Sequence, residues 1–219
     1  MTGFSNSPRL LKAGLVLLDP AGGQVQRIVS LQYNPDTLSR TLQVQAHASE
    51  SGDRSEALRV KGPPVETIKL EAEIDATDQL EFPDRHPNAT HLGIHPQLAA
   101  LETLVYPGSG ELLANNALAA GGTLEIVAME APLVLFVWSK SRVVPVRVTE
   151  FSVTEEAFDP ALNPIRAKVS LGLRVLSVDD LGFAHKGGSL FMSYLQNKET
   201  LASKSAGGML GTLGLEGLP

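Results

Sequence analysis

The stretch "ETIKLEAEIDA" (66–76) alternates strictly, with Ile68, Leu70, Ala72 and Ile74 on one face and Lys69, Glu71, Glu73 and Asp75 on the other. A period of two describes a strand with one face on a core and the other in water. "QVQRIVSLQYNP" (24–35) and "LSRTLQVQAH" (38–47) read as two more strands around the turn "NPDT". "IRAKVSLGLRV" (165–175) alternates as well, keeping Ala167, Val169, Leu171, Leu173 and Val175 in phase. In "VVPVRVTEFSV" (143–153) the phase slips: Val144, Val146 and Val148 share a face, whereas Phe151 and Val153 fall on the other. That slip predicts a β-bulge near Thr149 and Glu150. Pro145 lacks an N–H and is expected at an edge or a bulge. "PLVLFVWS" (132–139) is apolar on both faces, so a helix or another subunit must cover the second one.

Helical periodicity is scarcer. "HPQLAALETLVYP" (95–107) places Pro96 in the first turn and a stripe of Leu98, Leu101 and Leu104 behind it, with Pro107 as a stop. "GELLANNALAAGG" reads as a second, short helix. "GSLFMSYLQNKETLASK" (188–204) is a third, with Ser189 as its expected N-cap. A Gly-rich apolar tail follows. The polar stretch 47–64 has no period and reads as a long contact loop. The fold class expected is therefore mainly β with one to three helices. A β domain occupies 1–187, and a helix with a Gly-rich tail occupies 188–219.

Composition narrows the function. The 219 residues are 43 % hydrophobic and 19 % charged, enough apolar material for a core, and the net charge is -6. An acidic chain is a poor ligand for phosphate backbones, so no nucleic-acid partner is expected. With no cysteine there is no disulfide scaffold, thiolate metal site or Cys nucleophile. The apolar run Ala13 to Leu18 is too short to span a membrane and ends at Asp19-Pro20. It reads as a first strand before the turn "DPAGG", so synthesis and assembly in the cytoplasm, without membrane insertion, are expected.

Candidates for chemistry are few. Asp84, His86, His91 and His95 fall within twelve residues and are the types that hold zinc. Their spacings and the nearby prolines spread them along a loop, with His95 expected as the cap of the helix that follows. Glu155, Glu156 and Asp159 have no nucleophile beside them and read as strand-end and turn residues. Asp179 and Asp180 lack the alternation of a calcium loop. No phosphate-binding glycine motif is present. No catalytic residue, metal site or cofactor is expected, and what remains is the pattern of an assembly component.

Four stretches carry a resemblance: "LQYNPDTLSRTLQVQ", "GPPVETIKLEAEIDATDQLE", "LGIHPQLAALETLVYP" and "LVLFVWSKSRVVPVRVTEFSVTEEAFDPALNPIRAKVSLGLRVL". In order, from about residue 10 to 180, they resemble the tube-like domain of contractile injection system baseplate proteins. These occur in phage-tail-like particles of the antifeeding-prophage and Photorhabdus virulence cassette type. The resemblance implies a tail-tube β-barrel or sandwich and a homohexameric ring between a VgrG-like trimeric spike and the inner tube. Such a ring would initiate the tube and touch an inner-tube protein or second initiator and the baseplate wedge proteins. The alternative within the same particle is the repeating tube subunit. An alternative of another class is a monomeric β-barrel binding module or hydrolase using the His86, His91 and His95 loop. Many relatives carry a LysM module, which is absent here, so glycan binding is not carried over. On this reading Val134, Phe136, Trp138, Arg142, Arg147, Phe151 and Phe158 are expected between subunits. Glu50, Asp53, Arg54, Glu56, Arg59 and Lys61 are expected to meet the next ring, and the face of Lys69, Glu71, Glu73 and Asp75 to line the lumen or the outer baseplate.

Overall fold

A computed structural model describes residues 10–19, 23–46, 59–121 and 131–218. Seven strands are formed: β1 (Gly14–Leu18), β2 (Val25–Ser30), β3 (Leu38–Gln43), β4 (Val65–Asp75), β5 (Leu133–Ser139), β6 (Arg142–Phe158) and β7 (Pro164–Val175). They make one sheet in the order β2-β1-β5-β6-β7-β4-β3, with every pairing antiparallel. The mainly-β class read from the sequence is the class observed.

The alternation in β4 does what its period dictates. Ile68, Leu70, Ala72 and Ile74 are buried, while Lys69, Glu71 and Glu73 are exposed. The phase slip in β6 is a bulge between Val148 and Glu150, opposite Leu173 and Gly172 of β7. The extra residue turns Phe151 and Val153 back towards the core that Val148 also packs on. Gly172 makes this possible, since a β-carbon there would lie 2.7 Å from Cβ of Glu150. Pro145 departs from expectation: it is neither on an edge strand nor in the bulge, but between β5 and β7. Its carbonyl accepts from the Leu176 N–H, one residue past the end of β7. Its missing N–H points the same way, at the last rung of the β6–β7 pairing, so only that terminal bond is given up.

Six α-helices occur among the described residues: α1 (Thr77–Leu80), α2 (Pro87–Leu92), α3 (His95–Glu102), α4 (Ser109–Ala120), α5 (Val178–Leu181) and α6 (Lys186–Ala202). The three long ones, α3, α4 and α6, are those the periodicity predicts; the other three are short. One of these, α2, with a 3₁₀ turn at Pro83–Arg85, occupies the stretch read as loop. Helix α6 starts at Lys186, so Ser189 is not its cap. His185 is, its Nδ1 accepting from the Gly187 N–H at 3.0 Å.

One core holds the molecule together. Leu15 and Leu17 from β1, Phe136 from β5, Val144 and Val146 from β6, and Val169 and Leu173 from β7 meet Ile94, Leu98 and Leu101 at α3. Phe191 and Tyr194 of α6 join the same cluster. The second face of β5 is covered from within the chain: Leu133 and Leu135 pack with Leu18, Leu181 and Leu190. The two end strands, β2 and β3, do not pair with each other. Near that gap the Gln32 side-chain amide donates to the Asp75 carbonyl at 2.6 Å and accepts from its N–H at 3.0 Å.

Candidate assembly surface

The β6–β7 hairpin is the longest feature of the sheet. From Arg147 onward β6 pairs only with β7 among the described residues, because its ladder with β5 ends at Val146. Its other edge, through Phe158, offers unpaired backbone donors and acceptors. Such an edge is a template for another chain.

The hairpin tip is held in one shape. Ala157 and Leu162 both have positive φ, 55° and 65°, a conformation that side-chain-bearing residues adopt only under constraint. The Asp159 carboxylate supplies that constraint, accepting from the N–H groups of Ala161 and Asn163, each at 2.8 Å, and from Asn163 Nδ2. The hydrogen bonds from the Asn163 side chain and backbone hold this carboxyl below its ordinary range. Phe158 and Leu162 are thereby presented at 50 % and 77 % exposure.

The residues expected between subunits divide. Val134 and Phe136, expected between subunits, are 5 % and 1 % exposed and pack inside the subunit's own core. Trp138 is half-buried, its ring 6.0 Å from that of Phe136. Phe151 is half-buried against the core, Arg142 is half-buried, and Arg147 and Phe158 are exposed. Arg147 sits opposite Arg174, which is paired with Asp180 at 2.7 Å. Of the expected inter-ring residues, Arg59 and Lys61 are exposed. Glu50, Asp53, Arg54 and Glu56 lie outside the described residues.

The candidates for chemistry are not gathered. His86 precedes α2, His91 lies in its last turn and His95 opens α3, so His95 is not the cap; Ile94 is. Gly93, at φ +57°, turns the chain between the two helices, pressed against the Pro164 carbonyl. Among the described residues no three His, Cys, Asp or Glu side chains are placed to share a metal. Glu156 meets Lys168 at 3.7 Å, Asp159 serves the turn, and Asp180 forms a capping box with Ser177.

One charged cluster escaped the sequence reading. Glu66 is 3 % exposed and receives Arg40 at 2.7 Å, Lys198 at 3.0 Å and the Tyr194 hydroxyl at 3.0 Å. Burial alone would push its carboxyl up, but the hydrogen bonds from Arg40 and Lys198 outweigh that and hold it below the ordinary range. The cluster ties α6 to β3 and β4. A signal was present, because Glu66 lies in phase with Ile68 and Leu70 on the buried face.

Residues 17–180 match the family described as contractile injection system tube protein. No curated protein matches the chain. Among solved structures, a chain from the tail of an empty GTA particle, computed with helical refinement and C6 symmetry, is similar at 12 % identity and a TM-score of 0.28. The match covers 75 % of this chain and 90 % of that one.

Proposed function

The chain belongs to the contractile injection system tube protein family, and we propose that it forms a hexameric baseplate ring joining a trimeric spike to the inner tube. The family makes it a structural tail component. The finer reading adds that the ring initiates the tube and contacts the spike, a tube protein and the baseplate wedges.

The observation that carries this reading is the one-sided β6. From Arg147 to Phe158 β6 pairs along one edge only, and the sheet ends in β2 and β3, each of which also pairs along one edge only. Six copies joining edges around a lumen would leave none of them bare. The preorganised tip with Phe158 and Leu162 supports contact with a neighbour, as do Trp138, Arg142, Arg147 and Phe151. Arg59, Lys61 and the loop 47–64 are assigned to the adjacent ring, and the Lys69 to Asp75 face to the lumen or the outer baseplate. Val134 and Phe136 take no part.

The family's description as tube protein favours a second reading, a repeating inner-tube subunit. Copy number separates the two. Particles assembled from this chain with its spike, tube and sheath proteins should contain six copies each, independent of tube length. Copies that increase in proportion to tube length would establish the repeating subunit instead.

A further inference from the structure

We infer that the open seam of the sheet is an acceptor for an extended polypeptide segment, and that its occupant is residues 205–215 of a second copy of this chain. Two facing edges lack partners there. The Leu31 N–H donates to Ala13, so Leu31 faces β1 and, by alternation, the backbone groups of Ile28 and Ser30 face the seam. On the opposite wall the ladder of β4 with β3 stops at Leu70, while the N–H and carbonyl of Asp75 meet Gln32. Alternation then turns the backbone groups of Glu73 into the same gap.

Between these walls lies a cleft of about 230 Å³ floored by Gln97, Ala100 and Leu101 of α3. Gln97 Oε1 is buried there without a hydrogen-bond partner among the described residues. The gap therefore asks for alternating backbone donors and acceptors, an apolar or small side chain, and one further donor for Gln97. An extended strand supplies all three. Gln32 already performs the pairing at one end, its amide standing in for a peptide group.

The occupant must be free along both of its own edges, which excludes strands already paired in the sheet. The C-terminal tail meets that condition once the few bonds of its own single turn, such as Thr212 N–H to Met209 and Leu215 N–H to Leu210, open. After α6 its only regular structure is a 3₁₀ turn at Leu210–Leu213, and residues 201–218 are exposed throughout. Met209, Leu213 and Leu218 are 78 %, 73 % and 77 % exposed, apolar surface with no cover in the subunit. Residues 205–215 carry no charge, so they bring no carboxylate against Glu73. Thr212 or any backbone N–H can donate to Gln97.

The inference rests on the self-assembly reading, and the experiment separates the two. The chain has no cysteine, so Ser30→Cys and Leu213→Cys variants can be mixed under oxidising conditions without background. Native mass spectrometry of the unoxidised mixture reports association first. Association with a disulfide between positions 30 and 213 joining two chains, well above a Thr154→Cys control mixed with Leu213→Cys, is expected. Failure to associate sinks the self-assembly reading and this inference with it. Association without the disulfide above control overturns this inference alone. So does a Ser30→Cys, Leu213→Cys double variant that closes within one chain while the mixed single variants do not link.

Discussion

Gln32 holds Asp75 by both of its backbone groups, donating to the carbonyl at 2.6 Å and accepting from the N–H at 3.0 Å. The second residue after β2 thus pairs with the last residue of β4 as a neighbouring strand would, across a gap the ladders leave open. Replacing Gln32 by Leu removes both bonds and strands the Asp75 groups. A loss of about 1–3 kcal/mol is expected, read as a lower denaturant midpoint at unchanged slope.

The Glu66 cluster predicts a pH dependence with a defined sign. Its folded pKa lies below the ordinary glutamate value, so the stabilisation is fully present above that value. It is lost as pH falls through the unfolded and then the folded pKa. Equilibrium unfolding between pH 7 and pH 3 should show wild-type stability falling over this acid range. Glu66→Gln should flatten that fall and cost about 3 kcal/mol at pH 7, because Arg40 and Lys198 lose their buried counter-charge.

At the bulge, Gly172→Ala places a methyl group against Glu150. Thermal unfolding should register a loss of about 1–3 kcal/mol, as expected for overpacking. Adding Glu150→Gly should recover part of it, since the clash then has no partner. A strictly additive double variant would mean that the bulge tolerates the methyl group by moving elsewhere.

These positions show how far the chain could be read before it was folded. The phase slip between Val148 and Phe151 located the bulge, and the alternation of Ile68, Leu70, Ala72 and Ile74 gave β4 its buried face. Val134 and Phe136 were legible as apolar, but period alone cannot say whether a helix, a sheet or a second chain supplies the cover. The helices between Thr77 and Leu92 were missed because each is a single turn or little more, too short for a period to emerge. The hairpin tip was hidden for another reason. Positive φ at Ala157 and Leu162 is imposed by Asp159 and Asn163, whereas sequence rules look for glycine at such sites.

The exposed tip separates stability from assembly. Phe158→Ser with Leu162→Ser removes largely exposed apolar surface that belongs to neither core cluster, so unfolding should shift by no more than about 0.5 kcal/mol. Sedimentation with partner proteins should nevertheless show fewer assembled rings. Unimpaired assembly would remove the tip from the contact surface.

His86, His91 and His95 can be replaced together by Asn. With the three side chains exposed on separate elements, stability and assembly are expected to stay as in the wild type. Stoichiometric zinc in the purified protein, lost together with assembly in the triple variant, would instead support the binding-module or hydrolase alternative.

On this reading the subunit is completed by its neighbours along strand edges. Electron cryo-microscopy of the assembled particle at side-chain resolution tests it most directly. One ring of six copies is expected between spike and tube, with the free edge of β6 from Arg147 to Phe158 hydrogen-bonded to the adjacent copy. A ring of another order, or six copies whose β6 edges face solvent, would contradict it.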